Sequence, residues 1–225
     1  MEGLRHSQDD KTLIRTAQVV SAVFTPFSIP FLAFLILFLF SYLNITPLVF
    51  KVLVLAVVYG FTILMPTLTI FLFRKINGFT PDDLRVRRHR YMPFLLTIIS
   101  YVFCLLTMRQ LNLPWYMNGI ILAALLTLII CVAFNLRGKL SEHMAGAGGI
   151  VGGLVAFSEL FGYNPVGWLC IFILVAGMLG SARIILRHHT QGEVLGGFAV
   201  GLLCSLAALH PGSKLLIYLF SYILF

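Results

Sequence analysis

Seven apolar runs divide this chain, and they limit what it can fold into more than any other feature. They fall at about residues 19–42, 46–73, 94–107, 115–134, 147–161, 166–181 and 194–209. A run of roughly 20 apolar residues matches the thickness of a bilayer core, where only helices and closed barrels satisfy their own backbone. The runs lack the alternation of barrel strands, so an all-α, polytopic transmembrane helical bundle of about six to eight spans is expected. Only 11% of the 225 residues are charged, against roughly a quarter in a soluble domain. Residues 1–18 read as a polar N-terminal segment, and 19–225 as a single transmembrane domain. That segment does not have the pattern of a cleavable signal. Lys214–Phe225 is apolar but short. Cys104, Cys131, Cys170 and Cys204 all lie in apolar runs without a CxxC pair and read as small core residues.

The order of the polar stretches matters more than any one of them. Residues 74–93, 135–146 and 183–193 follow the second, fourth and sixth runs. All three therefore surface on one membrane face, together with the N-terminus. Segments far apart along the chain can meet there in one site. The net charge of +8 is spread between spans and not along an extended basic face. It suits anionic headgroups or a phosphorylated substrate and not nucleic acid.

The third polar stretch, RIILRHHTQGEVLGG from Arg183 to Gly197, carries Arg183, Arg187, His188, His189 and Glu193. Taken singly, such residues are ordinary span-end groups that snorkel to the interface. As a set they ask for another reason. His189 and Glu193 are four apart and share a face on a helix. A carboxylate there can hold the imidazole Nδ1–H and leave Nε2 to act as a nucleophile. His188 has Gly192 at that spacing and lacks this support. The second stretch reads KLSEH. If extended, it puts Lys139, Ser141 and His143 on one side, a combination suited to binding a phosphoryl group and protonating its leaving oxygen. The first stretch holds Arg85, Arg87, Arg88, His89 and Arg90 after Asp82 and Asp83. Basic clusters of this kind commonly anchor headgroups or set topology, and an arginine is also the usual phosphate clamp.

In these residues the chain resembles the type 2 phosphatidic acid phosphatase (PAP2) superfamily of membrane lipid phosphatases. That family carries three motifs in order: K-x6-R-P, P-S-G-H and S-R-x5-H-x3-D. Arg183, His189 and Glu193 match the third, with glutamate in place of aspartate and Ala182 putting Ser181 out of register. LSEH keeps Ser141 and His143 of the second but lacks its proline and glycine. In the first, Met92 precedes Pro93 where arginine is expected, and Arg85 stands where lysine is expected; Arg88 or Arg90 is then the substitute cation. The resemblance spans about residues 74–210. It implies a phosphohistidine on His189, oriented by Glu193. It implies His143 as the acid that protonates the leaving group and then activates water. Arg183, Arg85, Ser141, Lys139 and Arg90 would hold the phosphate oxygens, with no metal or other cofactor needed.

A site at a span junction suits a phosphate at headgroup level. Phosphatidate, phosphatidylglycerol phosphate, polyprenyl mono- or diphosphate and phosphorylated lipid A all fit, in a multi-pass cell membrane of the bacterial inner-membrane type. Thirteen of the sixteen Lys and Arg lie on the site-bearing side, with Lys51, Arg109 and Lys214 opposite. The positive-inside bias thus points the site to the cytoplasm, whereas the resemblance implies the outer or luminal face. Eight of the thirteen sit in the motif stretches, and without them the balance is five to three. Three other readings compete: a lipid phosphotransferase, a small transporter with an anion site, and a metal site built from His143, His188, His189 and Glu193.

Overall fold

A computed structural model describes residues 14–22, 24–40, 42–78, 87–135, 138–210 and 212, with the backbone alone described at 40, 42, 77 and 87–92. Among them the chain is helical from end to end, without strands. A short helical stretch at 14–22 precedes α1 (Ser28–Phe40), α2 (Leu48–Tyr59) and α3 (Met65–Asn77). Then come α4 (Arg87–Gln110), α5 (Trp115–Asn135), α6 (Glu142–Phe161), α7 (Val166–Ile185) and α8 (Gln191–Leu209). Among the described residues, six segments are long and apolar enough to cross a membrane: Leu48–Ile76, Pro93–Gln110, Trp115–Asn135, Glu142–Phe161, Val166–Ile185 and Gln191–Leu209. The protein is therefore a multi-pass helical membrane bundle.

The first apolar run is not one continuous span. The Ser28 N–H bonds to the Thr25 carbonyl at 3.1 Å, closing a turn that places Pro26 at its second position, where the fixed φ of proline fits. The Ser28 hydroxyl bonds to the same carbonyl at 2.9 Å. This leaves α1 with 13 residues, or about 20 Å, short of a ~30 Å hydrocarbon core. The second run does cross, but with a π-turn at Gly60–Leu64 just before Pro66. Pro66 lacks the N–H that a regular ladder would use, and the Ser100 hydroxyl of α4 bonds to the loosened Phe61 carbonyl. The third run is longer than its apolar part. The helix starts at Arg87 and runs through Pro93, so the basic residues 87–90 sit on a helical turn and not in an irregular loop.

Helices α6 and α8 make the most extensive contact in the bundle, and glycine is the cause. The two backbones approach so closely that a Cβ at Gly148, Gly152 or Gly201 would run into the backbone of the opposite helix. At Gly197 it would lie 2.5 Å from the Ser141 carbonyl oxygen. Small residues spaced four apart allow this packing between membrane helices. Of the two glycine pairs in GAGGIVGGL, Gly148/Gly152 makes the tighter approach, while a Cβ at Gly149 or Gly153 would meet α8 only at 3.4 Å or beyond. Met144, Ala147, Ala176, Leu179 and Val194 fill the space between α6, α7 and α8. A larger core, including Phe34, Phe38, Val58, Met117 and Ile121, joins α1, α2, α4 and α5.

The consequence for function is positional. The ends of α3, α5 and α7 and the starts of α4, α6 and α8 lie at the same end of the bundle, because each pair flanks one connection between successive spans. The motif stretches occupy those connections. Residues 14–22 reach the same end, where Ser21 touches α7.

Candidate active site

The third stretch begins with the way α7 stops. Its last turn closes with the Arg187 N–H on the Ile184 carbonyl at 2.9 Å and the His188 N–H on the Arg183 carbonyl at 3.2 Å. This is the paired Schellman arrangement, which needs a left-handed residue after the cap. Arg187 fills that place at φ 53°, where glycine would be unstrained. The turn sends the chain directly into His188 and His189.

Three residues on, α8 starts with a capping box. The Glu193 N–H bonds to the Thr190 hydroxyl at 3.4 Å, and the Thr190 N–H bonds to Glu193 Oε2 at 3.1 Å. The same Oε2 lies 3.0 Å from His189 Nδ1. The expected pairing of His189 with Glu193 is therefore present, but its geometry differs from two side chains on one helix face. His189 precedes the helix, and the cap holds the carboxylate that aims the ring. The His189 side chain is only 5% exposed and that of Glu193 25%, so the pair is shielded from bulk water on the imidazole side. With Nδ1–H engaged by the carboxylate, the lone pair available for chemistry is on Nε2.

His143 lies on the first turn of α6. It lies near Arg183, His189, His188 and the Ser21 backbone. The Arg183 guanidinium at the end of α7 bonds through an NH group to the Ser21 hydroxyl at 2.8 Å. Arg183 at the end of α7, His143 at the start of α6 and His189 in the connection before α8 thus lie at one end of the bundle, with Glu193 behind one imidazole. Ser21 had no motif to announce it. A lone hydroxyl in the apolar VVSAVF was its only mark, and that is a common feature of buried helices.

Ser141 directly precedes α6. It is completely buried, its N–H bonds to the Glu193 carbonyl at 3.1 Å, and its hydroxyl has no hydrogen-bond partner. An unsatisfied buried hydroxyl costs about 1–3 kcal/mol, which a bound acceptor would relieve. Extended alternation of Lys139, Ser141 and His143 does not hold, because the helix begins at Glu142. Lys139 is exposed, while Ser141 is buried and His143 faces the cluster. Arg85 lies outside the described residues. Arg90 is on the first turn of α4, with its side chain also outside them. Among the described residues, no group of three or more His, Cys, Asp and Glu side chains is placed to hold one metal ion.

The arrangement offers an oriented imidazole, a second imidazole, a guanidinium and a buried hydroxyl at the edge of a membrane bundle. No family model, curated protein or solved structure matches this chain.

Proposed function

We propose that the protein is an integral-membrane lipid phosphatase working through a phosphohistidine. The observation that carries this reading is His189 held by Glu193 at 3.0 Å at the end of the bundle where the Arg183 guanidinium is held by Ser21 at 2.8 Å, with His143 on the adjoining first turn of α6. A cluster of two imidazoles and a guanidinium is complementary to a phosphate anion, whose charge it would neutralise.

In the proposed reaction His189 Nε2 attacks phosphorus. The P–N bond forms as the ester P–O bond breaks, and His143, taking up a proton as the phosphate anion binds beside it, delivers that proton to the departing oxygen. Water then gives a proton to His143 and attacks phosphorus, the P–N bond breaks, and inorganic phosphate leaves. Glu193 fixes the tautomer and offsets the positive charge that grows on the His189 ring. Arg183 and the Ser141 hydroxyl donate to the phosphoryl oxygens, with Arg85, Arg90 and Lys139 as further cations for the same task. Positioning and charge stabilisation supply most of the acceleration in phosphoryl transfer.

The test is phosphate release by the purified protein from a panel of lipid phosphates in detergent micelles. The expected result is turnover that persists in a strong chelator and is inhibited by vanadate. Complete dependence on an added divalent metal, or binding of lipid phosphates with no release, would refute the proposal.

A further inference from the structure

The bundle contains a cavity of ≈ 130 Å³ that none of the motif residues accounts for. It lies between α1, α4, α5, α6 and α8, with Trp168 of α7 at one end, and its lining is mostly apolar. At the motif end it is bounded by Pro26, Cys131 and Glu142, and at the opposite end by Phe157, Tyr163 and Trp168. Glu142 and His143 share the first turn of α6, so the cavity ends one residue from the imidazole cluster, although no side chain of the cluster lines it. Glu142 and Phe157 are fifteen residues apart on one helix, which is about 22 Å of helix axis. One leaflet of hydrocarbon is about 15 Å deep, half of a ~30 Å core.

We infer that this cavity holds the hydrocarbon tail of the substrate inside the protein, and that the substrate is a lipid phosphate with one long linear tail. The inference rests on the phosphatase reading for its headgroup and on the cavity for its tail. Two observations favour a single tail over two. The lining runs along about 22 Å of helix axis around a volume of only ≈ 130 Å³, so the space is narrow. It is deeper than a leaflet, so it suits a chain longer than an ordinary acyl tail. The Glu142 carboxylate at the mouth also repels a phosphate from the cavity and keeps the headgroup at the cluster.

The experiment uses the full-length protein in detergent and hexadecyl phosphonate bearing a diazirine at the tail end, a probe that cannot be hydrolysed. After illumination, labelled residues are located by mass spectrometry. Labelling is expected at Phe157, Tyr163 and Trp168 and should be competed away by excess farnesyl phosphonate, but at least fivefold less well by a dioleoyl phosphonate. Gly153→Leu should reduce this far-end labelling at least fivefold. The Gly153 Cβ position meets only Leu209 Cδ1, at 3.8 Å, so a larger side chain there grows into the cavity. Ala124→Phe, from the facing wall, should do the same, and melting temperatures check that both variants fold. Labelling confined to lipid-facing positions such as Ile171 and Leu174 would overturn the inference. So would equal competition by the two-tailed phosphonate, or far-end labelling unchanged in two folded variants. Wild-type turnover of p-nitrophenyl phosphate, which has no tail, reports the chemistry separately. Far-end labelling without that turnover keeps the tail site and sinks the phosphatase reading; turnover with labelling only on the outer surface does the reverse.

Discussion

Replacing Glu193 with glutamine separates two jobs that one oxygen performs. Oε2 receives the Thr190 N–H at 3.1 Å and faces His189 Nδ1 at 3.0 Å. A hydrogen bond to a charged group contributes about 1.5–3 kcal/mol and a neutral one about 0.5–1.5. Loss of the charge therefore costs about 1 kcal/mol at each bond. The backbone share appears as stability: a fall of about 1 kcal/mol, further limited because the side chain is 25% exposed. In the proposed reaction the ring share appears in the transition state, where the imidazole would become cationic as P–N forms. One kcal/mol there is about fivefold in rate, since 1.36 kcal/mol is tenfold. That is the floor. If the amide turns its NH2 toward Nδ1, the ring must accept at Nδ1 and carry its proton on Nε2, which removes the nucleophile and deepens the loss beyond a hundredfold. The assay is kcat for phosphate release in mixed micelles, alongside thermal unfolding in the same detergent. Glu193→Asp keeps the charge on a shorter arm and should retain more activity than Glu193→Gln. A glutamine variant that loses stability but turns over within twofold of wild type would refute the orienting role and leave Glu193 as a helix cap alone.

Other expected outcomes follow from neighbouring contacts. Ser21→Ala removes the partner 2.8 Å from the Arg183 guanidinium and should raise KM three- to tenfold with little change in kcat, whereas Arg183→Lys, which loses the planar fork, should lower kcat/KM at least a hundredfold. Gly201→Val places a side chain into the Ala145 backbone and should prevent recovery of folded protein; Gly177→Val on α7, where a Cβ meets nothing within 4 Å, should express normally. Arg187→Gly relieves a left-handed backbone at φ 53° and should stabilise by about 1 kcal/mol, read as a higher melting temperature; Arg187→Val should do the opposite.

Much of this architecture was legible because the bilayer simplifies the problem. Length and hydropathy locate the spans, and the parity of the connections brings residues 143 and 189 to one face before any packing is known. Legibility ends where local chemistry competes with hydropathy. Pro26 splits an apolar run that reads as one span, since a proline turn closed by Thr25 and Ser28 outweighs continuity. The π-turn before Pro66 leaves no mark in the pattern of apolar residues. KLSEH alternates like a strand, yet α6 begins inside it, because the Ser141 backbone is pinned between Gly197 and the Glu193 carbonyl. The His189–Glu193 spacing pointed to the right pair for a partly wrong reason: a capping box, not a shared helix face, brings them together. Ser21 was invisible, since its contact with Arg183 spans 162 residues of sequence.

The most direct measurement of the central claim is a phosphoryl trap. His143→Ala, incubated with radiolabelled p-nitrophenyl phosphate, needs no acid to expel so good a leaving group, but it lacks the base that activates water. The account predicts an acid-labile, base-stable phosphoryl group accumulating on the peptide that contains His189, and its absence when His189 is also alanine. Label on any other residue, or label that survives His189→Ala, would contradict it.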